Sequence, residues 1–282
     1  MRLICLAIAF TSLSFAQTAD EIMARAAANQ DASSAARAKY VYHQNLLVRM
    51  KRANGRLARE EIRDYTVTPS EKGSKRELVR LAGKVGVSKD KTIEYTDPKY
   101  QRNGHDVDSQ IVQQMADDFG NEKESKDGVD HDLFPLTTKS LKIHQFTLVG
   151  SEKFDGHDVW HLSFEPPNKA GVFDDDDGDC MAGDAYIDKA EYQPVMISTY
   201  LKCKIPMAIK VTLGTNVQHV GFKVTYKKFE DGVWFPVTYG GEFKFRVLFM
   251  YAREVGIGLI NSDFKRAGAE SSVTYEKAEA TQ

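Results

Sequence analysis

Along most of the chain, apolar residues recur at every second position. Trp160, Leu162 and Phe164 fall on one side of residues 157–164, with His157, Val159, His161 and Ser163 on the other. Val220, Phe222, Val224 and Tyr226 alternate in the same way against His219, Lys223 and Lys227, and Phe243, Phe245, Val247, Phe249 and Tyr251 make the longest aromatic run. A period of two with one apolar side is how antiparallel strands read when a single face is covered. The pattern predicts strands at 40–51, 57–68, 75–82, 91–96, 144–152, 157–164, 184–188, 194–203, 217–229, 233–239, 242–252, 255–263 and 271–276. Asn54-Gly55 and Asp155-Gly156 sit between consecutive runs and supply the backbone freedom a tight hairpin needs.

The period changes in only two places. Thr18 and Glu21 have capping-box spacing and open a helix through Ile22, Met23, Ala26 and Ala27 that ends before Lys39. Residues 105–119 carry Val107, Ile111, Met115 and Phe119 four apart on one stripe, with Asp106 or Asp108 as the cap. The charged, glycine-punctuated stretch 120–132 reads as a solvated loop. Many strands, short turns and few helices predict an α+β fold built on a strongly curved antiparallel sheet or open barrel.

The first residues alter where this domain is expected to work. Arg2, the short apolar run from Leu3 to Phe15 and Ser14-Phe15-Ala16 have the order of a secretory signal peptide, too short for a span of ~20 residues. Residues 1–16 are expected to be removed, leaving 17–282 as a single exported domain. Cys5 lies too early to be lipidated at that cut. The formal charge of −2 becomes one unit more negative when Arg2 leaves, which disfavours a nucleic-acid binder. A hydrophobic content of 42% is enough for a packed core.

The candidate chemistry is sparse. The acidic run 174–179 fails as a calcium loop: with Gly178 as the invariant glycine, Asp175 and Asp177 fit, but Phe173 occupies the first ligand position and Asp184 the last. It reads instead as a solvated loop. Cys180 and Cys203 are the two cysteines left after cleavage, and an oxidising compartment favours pairing them. With Glu191-Tyr192 as the hairpin turn, Asp188 would face Val195, Tyr186 would face Ile197 and Cys180 would face Cys203. Such a disulfide would contribute about 3 kcal/mol. His157 and His161 would lie ~13 Å apart along a strand, too far to share one zinc. HExxH, GxSxG, a P-loop and GxGxxG are absent, so neither a catalytic centre nor a cofactor is expected.

The segments "LFPLTTKSLKIHQFTLVGSEKFDGHDVWHLSFEPP" (133–167), "DAYIDKAEYQPVMI" (184–197), "KKFEDGVWFPV" (227–237) and "NSDFKR" (261–266) form an ordered set of hairpins. Their order resembles the LolA/LolB-like superfamily, in particular the outer membrane lipoprotein-sorting protein relatives. The resemblance implies an open half-barrel whose concave, apolar side is lidded by helices, and a periplasmic carrier of lipid acyl chains or lipoproteins. The pocket would be lined by Trp160, Leu162, Phe164, Phe222, Val224, Tyr226, Phe243, Phe245 and Phe249, with Ile111 and Met115 contributed by the lid. The alternative expectation is a non-catalytic envelope sensor or scaffold that meets protein partners through its polar sheet face. A hydrolase has no nucleophile–base pair in its favour.

Overall fold

The computed structural model describes residues 17–70, 73–89, 91–103, 106–118, 138, 140–142, 144–166, 181–202, 216–229, 231–247 and 250–267. The expected signal peptide, the loop at 120–132, the acidic run, Cys180, Cys203, Phe249 and the strand expected at 271–276 lie outside them. Helix α1 (Ala19–Arg37) begins with the expected capping box: the Thr18 hydroxyl accepts from the Glu21 amide, and the Glu21 carboxylate accepts from the Thr18 amide. Its Ile22, Met23, Ala26 and Ala27 are fully buried. Helix α2 (Val107–Asp118) is capped by Asp106, whose Oδ1 accepts from the Ser109 amide at 3.1 Å. Its buried side is Ser109, Val112 and Ala116, flanked by Ile111 and Met115, and Val107 is half exposed. The buried stripe therefore follows the 3.6-residue helical period and is rotated away from the four-residue series read from the sequence.

Eleven strands form one antiparallel sheet. They are β1 (Tyr40–Arg52), β2 (Leu57–Ser70), β3 (Gly73–Gly86), β4 (Thr92–Tyr95), β5 (Gln145–Phe154), β6 (His157–Glu165), β7 (Met181–Asp188), β8 (Pro194–Leu201), β9 (Asn216–Lys228), β10 (Trp234–Val247) and β11 (Tyr251–Arg266). The spatial order is β4-β3-β2-β1-β11-β10-β9-β8-β7-β6-β5. Each strand thus pairs with its sequence neighbour, β1 and β11 join the two ends of the chain, and β4 and β5 remain as free edges. The hairpins turn where glycine permits it: Gly55 has φ +77°, and Asp155 and Gly156 have φ +47° and +86°.

Three sequence expectations need correction. The sheet is open and is not curved into a half-barrel, so it encloses no concave groove. A strand count says nothing about curvature, and here the apolar face is covered without wrapping because α1 and α2 both pack on it. Second, the runs 233–239 and 242–252 do not form two strands. Strand β10 passes straight through Gly240-Gly241, and Tyr251 opens β11.

The third correction removes the motive for the disulfide. Ala185, not Tyr186, faces Ile197, and Tyr186 faces Met196, one residue out of the expected register. The turn is built on Asp188, whose Oδ1 accepts from the amides of Ala190 and Glu191, with Tyr192 at φ +53° and a register shift that leaves Val195 as an extra residue on β8. Such a shift moves every subsequent side chain to the other face. The pairing ends among the described residues at Met181 with Leu201, so the register that motivated a Cys180–Cys203 bridge is not the one observed, and both cysteines lie outside the described residues.

Candidate functional site

The pairing register assigns each side chain to a face. On one face Leu162, Ala185, Ile197, Val224, Tyr239, Leu259 and Leu46 run in a single row across seven strands, all buried. Of the residues expected to line a ligand pocket, Leu162, Phe164, Val224 and Tyr226 belong to this core, each at most 4% exposed. Trp160, Phe243, Phe245, Ile111 and Met115 pack against it partly buried, and Phe222 is half-buried on the same face. Val159, expected on the polar side, is fully buried as well. This face is filled by side chains and helices. Two depressions among the described residues are both lined by charged groups: one lies on the opposite face of the sheet, and the other, at the start of α2, is walled by Arg52, Arg102, Arg253, Asp106 and Asp108. The carrier reading is therefore not kept: the described residues form no closed apolar groove for an acyl chain to enter.

The same face holds a network that the sequence reading missed. Met50, Val48 and Leu46 of β1 are paired with Arg59, Glu61 and Arg63 of β2, so three charged side chains project into the core. Arg59 is 0% exposed, Glu61 1% and Arg63 3%. Glu61 Oε1 accepts from Arg59 Nη1 at 2.8 Å and from the Tyr95 hydroxyl at 2.6 Å, and Oε2 accepts from Arg63 Nε at 2.7 Å. Arg59 also donates to Asp106 at 2.7 Å, and Arg63 to Gln113 Oε1 at 3.0 Å. These bonds tie α2 to the sheet. Burial alone would lower the Arg59 pKa, but Tyr95, Asp106 and Glu61 outweigh it and hold the guanidinium protonated. Burial would raise Asp106, yet the Arg102 amide, Arg59 and the Ser109 amide bring it below the usual carboxylate range. Burial and Glu61 push the Tyr95 hydroxyl upward, so it remains a donor. Gly83 is needed here because a Cβ would sit 2.1 Å from the Tyr95 ring. One signal was present in the sequence: residues 59–64, REEIRD, carry charge on both strand faces. Register with the apolar β1 then forces one set inward.

No helix covers the opposite face among the described residues. Its centre is a depression of about 430 Å³ lined by Leu47, Arg49, Lys51, Gly240, Glu242, Glu254, Gly256 and Gly258, with Gly241 and Ile257 at its base. Gly240 faces Gly258 across β10 and β11, and a Cβ at Gly256 or Gly258 would meet nothing within 4 Å, so the floor is bare backbone. Arg49 pairs with Glu60, and Glu254 bridges Lys244 at 3.0 Å and Lys51 at 3.8 Å. The Lys244 hydrogen bond and charge hold the Glu254 carboxyl below its ordinary value. Ile260 and Tyr200, 53% and 50% exposed, stand on this face beside the charged rim. Farther along, His161 Nε2 lies 2.9 Å from Asp184 and its ring stacks on Tyr186 at 4.5 Å. Burial, then Asp184 and Glu152, raise the Tyr186 pKa. Asp184, tested above as a calcium ligand, is thus engaged with a histidine. Among the described residues no three His, Cys, Asp or Glu groups converge as metal ligands, and no helix is long and apolar enough to cross a membrane.

No protein-family model matches the chain, and no curated protein matches it. Solved structures show a distant likeness at the level of the fold to LolA/LolB-like proteins. A domain from Vibrio parahaemolyticus named for outer membrane lipoprotein sorting is 13% identical, with 88% of this chain and 95% of that chain covered and a TM-score of 0.35. A LolA superfamily protein from Nitrosomonas europaea is 12% identical, covering 90% and 96% with a TM-score of 0.32. A DUF1329 family protein from Desulfovibrio piger is 10% identical, covering 90% and 96% with a TM-score of 0.40. The likeness assigns no ligand or activity to this chain.

Proposed function

We propose that this protein is an exported, non-catalytic scaffold or sensor module that binds a protein partner through the polar face of its sheet. The observation that carries the reading is the division of labour between the faces: the apolar side is filled by its own core, while no described element covers the glycine-floored depression on the other side. Charged residues of both signs with an isoleucine and a tyrosine among them suit a protein surface better than a lipid. Aromatic residues form the energetic centres of such interfaces, and charged rims set register and specificity. Cleavage after Ala16 would release the chain as one domain in the periplasm, with Gln17 beside α1.

The reading is tested with a photo-crosslinking amino acid placed in cells at Arg49 or Lys244 on the polar face, and at Arg25 on α1. The expected result is one discrete adduct from the first two positions and none from Arg25. Gly258→Arg should remove the adduct by filling the depression, and it should leave folding intact because the space above Gly258 is empty. Adducts from all three positions alike, or from none, would discard the polar-face reading.

A further inference from the structure

The second depression, of about 270 Å³, lies at the start of α2, on the other side of the sheet from the proposed partner surface. Its walls include Arg52, Arg102, Arg253, Asp106 and Asp108. Three of these charges are already matched. Arg253 holds Asp108 through two bonds, Nε–Oδ1 at 2.7 Å and Nη2–Oδ2 at 3.0 Å. Asp106 is engaged by Arg59 and by the amides of Arg102 and Ser109. Arg52 and Arg102 have no carboxylate partner among the described residues. Each has a single side-chain hydrogen bond, and both donate to the same acceptor, the Gly86 carbonyl oxygen, at 2.7 and 3.4 Å. Arg52 also stands directly opposite Arg253 across β1 and β11, a like-charge pairing that costs stability unless something neutralises it.

We propose that Arg52 and Arg102 form a binding site for a phosphate dianion, either free or carried on an ester or lipid headgroup. Two guanidiniums converging on one carbonyl leave most of their donors unused, and their forked geometry fits the oxygens of a phosphate. Two unmatched positive charges equal the charge of a phosphate monoester near pH 7, whose second ionisation lies near 6. The helix end alone does not make the site, since Asp106 already caps α2. The excess charge of the two arginines does. The exposed Val107 and the Val85 wall leave room for an organic group beyond the phosphate.

The test is calorimetric titration of the mature protein with inorganic phosphate and with acetate, beside flotation with phosphatidylcholine vesicles with and without phosphatidic acid. Saturable phosphate binding stronger than acetate binding is expected. Arg102→Gln should weaken it about tenfold or more with an unchanged thermal midpoint, and Arg102→Lys should fall between the two. Arg52→Gln should weaken it similarly. Arg102-dependent flotation with phosphatidic acid, competed by free phosphate, identifies a headgroup as the source; phosphate binding without flotation identifies a soluble ester. No saturable phosphate binding up to about 10 mM, equal affinity for acetate, or unchanged affinity in Arg102→Gln would overturn the site.

Discussion

Glu61→Gln isolates the energetics of the buried network. The substitution keeps volume and one carbonyl oxygen but turns one acceptor into a donor. Every neighbour of the carboxylate donates to it: Arg59 Nη1, the Tyr95 hydroxyl and Arg63 Nε. Whichever way the amide points, an NH₂ meets donors, and two guanidiniums at 0% and 3% exposure lose their shared anion. Breaking one partner of a buried pair costs about 3–5 kcal/mol because the remaining charge is stranded without water. For a domain of this size that corresponds to a drop in Tm of roughly 6–10 °C. The matched control is Glu60→Gln, the next residue on the strand. It faces the polar side and pairs with an Arg49 side chain that is 50% exposed, so solvent screening limits its cost to below about 1 kcal/mol. Urea denaturation of both variants gives the comparison directly. If Glu61→Gln costs no more than Glu60→Gln, the inward-facing charges do not hold α2 and the energetic account of the network is wrong.

Asp106→Asn keeps a good N-cap, so its effect reports the ion pair with Arg59, and a loss of about 1–3 kcal/mol at pH 7 is expected in denaturant titration. Because the folded pKa of Asp106 is depressed, its contribution is present above the unfolded value of about 3.9 and is lost as pH falls through the lower folded value. The gap between wild type and Asp106→Asn should therefore close below about pH 4, and a gap constant down to pH 2 contradicts the linkage. Leu162→Ala should cost about 2–5 kcal/mol, the range for emptying a filled core site, and a negligible change would mean the apolar face is loosely occupied. Thr18→Ala removes half the capping box and should cost about 1 kcal/mol by thermal denaturation.

What could be read from the sequence was set by local physics. The Thr18–Glu21 box, the Asn54-Gly55 and Asp155-Gly156 turns and, Val159 apart, the alternation over Trp160–Phe164 and Phe222–Tyr226 depend on residues close in the chain and appear where expected. The errors arose where distant residues decide. One extra residue at Val195 shifts the β7–β8 register away from the one that motivated the Cys180–Cys203 pairing, and no local propensity signals a bulge set by the Asp188 turn. Sheet curvature is likewise a property of the whole assembly. Trp160, Phe164, Tyr226, Phe243 and Phe245 do lie against the apolar core, but alternation cannot distinguish a lined pocket from a filled core, since both require the same residues on the same side. The charged ladder of β2 is not legible locally, because REEIRD carries charge on both faces and pairing with β1 determines which of them turns inward.

That ladder also bears on why we propose the polar face, and not the apolar one, as the partner surface. The apolar face would be continuous from β6 to β1, but beyond β1 it gives way to Arg59, Glu61 and Arg63, which α2 covers through Asp106 and Gln113. A lid gripping charged groups with this many hydrogen bonds is poorly suited to open for an apolar cargo, because each opening would separate buried ion pairs at several kcal/mol. Nothing comparable restrains the other face. There the charges are exposed, their pairs are individually worth below about 1 kcal/mol, and Arg49, Lys51, Lys244 and Glu254 can exchange their present partners for those of an incoming surface at little cost. The chain concentrates its strong interactions where α2 must stay closed and leaves its weak, exchangeable ones around the glycine floor, where a partner would dock.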